Sequence, residues 1–187
     1  MTQIPLFQPP SEWTPPEKIP DLSDAKEIAI DLETCDPSIK TKGPGWTRGE
    51  GFIAGVAIAV EGWKGYFPIR HEGGGNFDEK IIKRQIQRIM DLPCDKVFHN
   101  AAYDVGWLRW WGVEVKGKII DTLVAAPLID ENRFRYNLND LGRDYLKETK
   151  SEALLYEAAK EWGLDAKSEM YKLPPMYVGS YAEQDAD

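Results

Sequence analysis

The sequence predicts an α/β domain with a mixed central β-sheet flanked by helices. Three apolar, strand-like runs come first, around "EIAIDL", "FIAGVAIAV" and "KGYFPIR". Helical periodicity then alternates with two shorter apolar runs, "KVFHN" and the start of "KIIDTLVAAPLI". The chain has 187 residues, is 42% hydrophobic and carries 7 Trp and 8 Tyr, enough to bury the core of one ordinary domain.

Taken in order, residues 1–26 form a proline-rich arm that begins "MTQIPLFQPPSEWTPPEKIP" and is expected to lie extended on the domain or to be disordered. Glu27 to Ile30 read as a short strand ending in "DLETCDP", with a turn from Cys35, and "TKGPGWTRGEG" as a glycine-rich loop. "FIAGVAIAV" and "KGYFPIR" flank "EGWK", so they predict an antiparallel hairpin that extends the sheet from the first strand. In "FDEKIIKRQIQRIMDL", Ile81, Ile82, Ile86, Ile89 and Met90 recur at helical spacing behind Asp78, a candidate N-cap. "KVFHN" is a short buried strand, "AAYDVGWLRWWG" a helix stopped by Gly112, and "KIIDTLVAAPLI" a strand running into a helix. "YNLNDLGRDYLKE" and "SEALLYEAAKEWG" predict two amphipathic helices, the second capped by Ser151 and closed by Gly163. There is no internal repeat.

Composition narrows the function. The net charge of −8 argues against a broad basic surface that grips nucleic acid by neutralising phosphates, but a small cation-lined site is compatible with it. Cys35 and Cys94 are the only cysteines, so neither a disulfide framework nor a zinc site of paired CxxC motifs is available, and a reducing cytoplasmic setting is expected. The N-terminus has no basic start followed by an apolar core. No segment approaches the roughly 20 apolar residues of a membrane span, so a soluble protein with no membrane partner is expected.

Three pairs of polar residues stand out. In "IAIDLETCDP", Leu32 continues the apolar side of the strand, so Asp31 and Glu33 share its other face. Two like charges there repel. Either the face is open to solvent, or a divalent cation converts repulsion into coordination, because hard carboxylate oxygens suit Mg²⁺ or Mn²⁺. In "FHNAAYDVGWL", Asn100 and Asp104 lie about one helical turn apart just beyond a strand; alone, Asp104 also reads as an acid in a helix's first turn, favoured by the macrodipole. In "VGSYAEQDAD", Tyr181 and Asp185 project about 40° apart on a helix, which by itself reads more readily as a solvated acidic helix end.

The ordered set Asp31-x-Glu33, Asn100-x₃-Asp104 and Tyr181-x₃-Asp185 resembles the three exonuclease motifs of the DEDD superfamily, tyrosine branch. The stretches "DLET", "HNAAYD", "IIDTLVAAPLID", "YNLNDLGRDYL" and "YAEQDAD" are similar to those of the proofreading domain of family A DNA polymerases, phage ones especially, over residues 27–187. The arm lies outside the resemblance. What it implies is a ribonuclease H-like fold and 3′–5′ removal of nucleotides with two divalent cations, Mg²⁺ or Mn²⁺. On the same basis Asp31 would bridge the ions, Glu33 and Asp185 would complete the site of the ion that activates water, and Asp104 would position the other through its hydration shell. Tyr181 would orient the attacking water, and Asn100 and the Thr34 backbone would touch the terminal nucleotide.

Trp46, in the loop beside the first motif, is a candidate for base contact. Trp107, Trp110 and Trp111 could stack on bases, although core packing is expected for at least two of them. His99 reads as a structural neighbour and Asp121 as a helix-start or supporting group. The expected substrate is a single-stranded or frayed DNA 3′ end. The alternatives are a ribonuclease D-like exoribonuclease with the same site, and a silent structural module of the same fold. The motif helix would still be running two residues beyond Asp185, so the chain is expected to be the N-terminal part of a longer polymerase, with a polymerase module following in the same chain.

Overall fold

The computed structural model describes residues 5–149 and 151–187. Strands β1 (Glu27–Cys35), β2 (Phe52–Val60), β3 (Trp63–Pro68), β4 (Asp95–Phe98) and β5 (Ile119–Asp121) form one sheet in the order β3-β2-β1-β4-β5. The β1–β2 and β2–β3 pairs are antiparallel and the β1–β4 and β4–β5 pairs parallel, as a mixed sheet requires. The antiparallel half needs only the tight turn at Glu61 and Gly62, where Gly62 takes φ +80°. The parallel half needs crossovers, supplied by α2 (Glu79–Met90) ahead of β4 and α3 (Ala101–Trp110) between β4 and β5.

Two cores lie on the two faces of the sheet. Ile28, Ile30 and Leu32 of β1 join Val56 and Ile58 of β2 on one face, under Ile82, Ile86 and Ile89 of α2 and Trp107 and Leu108 of α3. Asp78 caps α2, its carboxylate accepting the Ile81 N–H at 3.0 Å. Ile81, expected in the apolar stripe, is 48% exposed because it sits one position outside the run 82, 86, 89. The other face of β2 presents only Gly55, Ala57 and Ala59. Over it lie α6 (Ala153–Trp162) and α7 (Gly179–Ala186), contributing Leu155, Ala158, Ala182 and Ala186.

Several elements differ from expectation. β1 does not end at Ile30 but pairs with β2 through Cys35, with a bulge between Glu33 and Thr34, so the first motif lies inside a strand. The glycine-rich loop contains a helical turn, α1 (Ile39–Lys42), and a 3₁₀ turn over Gly45–Thr47. Thr122–Ile129 forms α4, as the run after β5 predicts. "YNLNDLGRDYL" yields only the short α5 (Leu138–Leu141), which passes into one π-helical turn over Gly142–Leu146. Ser151 does not cap α6: Glu152 precedes the helix, and the Ser151 N–H donates instead to Gln184 of α7 at 3.0 Å. Gly163 closes α6 in the left-handed region at φ +65°.

The described part of the arm lies on the domain. Leu22 is buried in the first core, and the Tyr177 hydroxyl donates to the Pro9 carbonyl at 3.1 Å. Two buried polar side chains are satisfied internally. Lys96, with no exposed surface, donates to the carbonyls of Leu92, Cys94 and Lys116. His71 lies between the Leu173 carbonyl, 2.9 Å from Nδ1, and the Tyr66 hydroxyl, 2.7 Å from Nε2. A carbonyl can only accept, so Nδ1 carries the proton and Nε2 accepts from Tyr66.

Burial holds His71 neutral, with its pKa lowered to about 4. Between pH 6.5 and about 4 the unfolded chain binds this proton and the folded one does not, so His71's contribution is complete above pH 6.5 and is lost as pH falls toward 4. The shift corresponds to about 3 kcal/mol. In denaturant titrations, His71→Leu should be less stable than the parent at pH 7 and should show a shallower loss between pH 6.5 and 4.

Candidate active site

The bulge at the end of the first motif and the small residues across from it prepare the site. Asp31 and Glu33 face Ala57 and Gly55 in the β1–β2 register, and Gly55 leaves room for the Tyr66 ring of β3, whose hydroxyl lies where a Cβ on Gly55 would stand. α7 packs on β1, β2 and β3 above this stripe. It brings Asp185 to the strand: one carboxylate oxygen from each of Asp31, Glu33 and Asp185 lies within 4.8 Å of the others, the only such acidic grouping among the described residues. Glu33 is 7% exposed, and Asp31 and Asp185 are half-buried.

Asp104 approaches from the other side of β1. β4 pairs with β1 only as far as Ala29, and beyond it the Leu32 N–H donates to the Asp104 carboxyl in place of a strand partner. Asp104 is 4% exposed. Burial pushes its pKa well up, the Asp31 charge adds to this, and the Leu32 N–H opposes it. Asp104 therefore stands behind Asp31 and outside the three-oxygen grouping.

Asp121 fixes the start of α3. Its two oxygens accept the N–H groups of Asn100 at 2.9 Å and Ala101 at 2.8 Å, and Oδ1 also accepts from Leu123, so one side chain anchors α3 and α4 together. This is the supporting role expected of it. Asn100 takes φ +74°, a left-handed conformation that asparagine tolerates, and its side chain is exposed. His99 is likewise structural, its Nδ1 2.9 Å from the Thr122 hydroxyl, which donates onward to the Phe98 carbonyl.

Tyr181 hydrogen-bonds Asp185, its partner one turn on in α7. Burial raises its pKa strongly, with the charges of Glu33 and Asp185 adding to the effect, so the phenol keeps its proton and can only donate to a carboxylate. Lys167, paired with Glu152 at 2.7 Å, lies 4.0 Å from the centre of the Tyr181 ring.

Thr34 and Trp46 are less directly placed. The Thr34 hydroxyl is 2.7 Å from that of Tyr103, which donates to Asp36 at 3.2 Å, so Thr34 is the donor in the first bond. The Asp36 carboxylate also accepts the Gly45 N–H at 2.9 Å, tying the glycine-rich loop to the strand end. Trp46 is half-buried, and a Cβ on Gly106 of α3 would collide with its ring. Its ring therefore packs on α3. Trp107 and Trp111 are core residues, and Trp110 is 39% exposed. A largely apolar cavity of about 360 Å³ opens beside Asp31 and Asp185, walled by Phe98, His99, Ala126 and Leu141.

Reading the motifs one by one misses Gly55, Ala57 and Tyr66. The Tyr66 hydroxyl lies over Gly55, across the register from Glu33, and burial raises its pKa, with the Glu33 and Asp31 charges raising it further. The signal for the glycine and alanine was present: in "FIAGVAIAV" small residues alternate with large ones at period two, marking one face for close approach.

Known proteins are similar to this chain. A 3′–5′ exonuclease family model matches residues 14–187. The chain is 38% identical over 191 residues to a DNA-directed DNA polymerase of Pseudomonas phage M6, covering 98% of this chain and 29% of that protein. It is 29% identical over 121 residues to DNA polymerase I of Synechocystis, covering 64% of this chain and 12% of the relative. The chain thus spans less than a third of either relative. Among solved structures, Brucella melitensis NrnC with bound Mg²⁺ superposes with a TM-score of 0.57 at 18% identity, over 90% of this chain and 71% of that one. Escherichia coli RNase D, an exoribonuclease, gives 0.58 at 15% identity over 88% and 37%. These two share the fold, which is ribonuclease H-like. With the family model matched over nearly the whole chain, this protein belongs to the 3′–5′ exonuclease domain family of A-type DNA polymerases.

Proposed function

We propose that the chain removes nucleotides from DNA 3′ ends by metal-dependent phosphodiester hydrolysis, as the editing module of a longer polymerase. The observation that carries this reading is the meeting of Asp31, Glu33 and Asp185 within 4.8 Å, with Tyr181 bonded to Asp185 and Asp104 behind Asp31. The donor set fits divalent cations: it is all carboxylate oxygen, its members are half-buried or buried, and the Asp31 charge raises the cost of ionising Asp104. Asp31, Glu33 and Asp185 would hold Mg²⁺ or Mn²⁺ directly, and Asp104 would steady a second ion. Bound there, a pair of such ions supplies an activated water and stabilises charge on the attacking and leaving oxygens.

The chain's own residues do the remaining work. Tyr181 keeps its proton and so orients a water by hydrogen bonding instead of acting as the base. Asp185, fixed to Tyr181 within one helix, keeps that hydrogen bond in register with the acids. The bulged backbone at Thr34, next to Glu33, and the exposed Asn100 are proposed to meet the terminal nucleotide. Trp46, half-buried on Gly106, would contact a base from within the glycine-rich loop.

Relatedness to DNA polymerases supports DNA as substrate, and an assay on matched DNA and RNA oligonucleotides tests it. Preferential cleavage of RNA would favour the ribonuclease D-like alternative. Single-stranded or frayed 3′ ends should be degraded faster than blunt duplex, which must first be melted. Equal rates on both would contradict this. Among the described residues no helix is long and apolar enough to cross a membrane. A cytoplasmic setting and a polymerase module in the same chain belong to the same proposal.

Asp31→Ala should abolish cleavage at saturating Mg²⁺ and leave the circular dichroism spectrum unchanged. Its metal-free melting temperature should not fall, because the mutation removes charge repulsion on Asp104. In single-turnover assays Tyr181→Phe should cost about 10²-fold or less, since one hydrogen bond is lost, whereas Asp185→Ala should cost far more. The raised pKa of Asp104 sets a pH dependence. The metal-free fold retains a proton that the unfolded chain releases above pH 3.8, so this group's contribution to stability declines as pH rises. Cation binding must expel that proton, so Mn²⁺ affinity should rise with pH, and calorimetry in two buffers of different ionisation enthalpy should detect the release.

A further inference from the structure

The N-terminal arm makes its most specific contacts with α7, the helix that carries the third motif. The Trp13 indole lies on Gly179 at the start of the helix, so closely that a Cβ there would overlap the ring. Its Nε1–H donates to Glu183 Oε1 at 3.0 Å, and the same oxygen accepts the Tyr66 N–H of β3 at 3.1 Å. The Trp13 and Tyr66 rings are tilted against each other at 6.2 Å. The Ser11 hydroxyl donates to the Met176 carbonyl at 2.7 Å, and Tyr177 to that of Pro9, so the turn leading into α7 is held as well.

Glu183 stands between Tyr181 and Asp185 in sequence, two residues from each. At 100° per residue it projects about 160° away from both, on the side of the helix facing the arm and β3. α7 has eight residues, about two turns, with small Ala182 and Ala186 against the sheet and Gly179 under the Trp13 ring. Small side chains allow close approach but give little resistance to rotation. A rotation of about 20° moves a side-chain tip some 5–6 Å from the axis by about 2 Å, enough to take a carboxylate out of coordinating reach.

We propose that the arm sets the rotation of α7 through the Trp13–Glu183–Tyr66 junction, making Trp13 and Glu183 positioning residues for Tyr181 and Asp185. The arm is thereby a working part of the nuclease domain. This rests on the reading of the carboxylates as a cation site.

The experiment is Mn²⁺ titration by calorimetry of the parent, Glu183→Ala, Glu183→Gln, Trp13→Ala and Trp13→Phe, each below its own metal-free melting temperature. Both Glu183 variants lose the same charge, but glutamine keeps an oxygen to accept from Trp13 and Tyr66. Glu183→Ala should bind Mn²⁺ about tenfold more weakly, with Glu183→Gln within about twofold of the parent. Trp13→Ala should match Glu183→Ala, and Trp13→Phe, which keeps the ring on Gly179, should fall between. A merely structural arm would lower melting temperatures and leave affinity below melting unchanged. Parent-like binding by Glu183→Ala, or an equal loss in Glu183→Gln, overturns the proposal. If Trp13→Ala does not fold, the Glu183 pair decides alone. Absence of Mn²⁺ binding by the parent would instead overturn the site reading on which the proposal stands.

Discussion

The distance between α7 and the sheet is the constraint on which the site depends. Side chains of a helix reach a strand's carboxylates only if the two backbones lie close. Here Ala57 and Ala59 on β2 share one buried cluster with Ala182 and Ala186 on α7, and Gly55 leaves room for the Tyr66 ring in the same layer. The opposite face of the same strand carries Ile53, Val56 and Ile58 and keeps α2 and α3 at ordinary packing distance. One strand thus sets two spacings, one for packing and one for chemistry.

Close approach concentrates negative charge, and local hydrogen bonds offset part of it. Asp104 draws on the Leu32 N–H that β4 leaves unpaired, and Tyr181 stays protonated beside Asp185. Asp104 remains costly to ionise beside Asp31 in the metal-free protein, which makes it responsive to a cation. A set fully neutralised by lysine or arginine would be more stable and would have less to gain from binding one.

Supports for the acids come from segments that hold none of them. Asp121 on β5 fixes the start of α3 and so the place of Asp104. Asp36 ties the glycine-rich loop to Tyr103 and, through it, to Thr34 at the bulge. The arm reaches α7 from the far end of the sequence. Each motif residue therefore depends on contacts distant in sequence, and the geometry is a property of the whole domain.

By itself the sequence determined the order of strands and helices, the hairpin, the cap at Asp78, the closure at Gly163 and the three polar pairs, because each rests on local rules of period, turn and cap. The length of β1 was not legible in it, since pairing with β2 through Cys35 is a non-local choice that Asp31 and Glu33 disfavour locally. Ser151 has the chemistry of a cap, yet its N–H is taken by Gln184, and no local rule could foresee that. Tertiary structure alone decided that Asp185 meets Asp31 and Glu33 while Asp104 stands behind Asp31. Such distances are fixed by how closely helices can pack on the sheet, which depends on residues far from any motif.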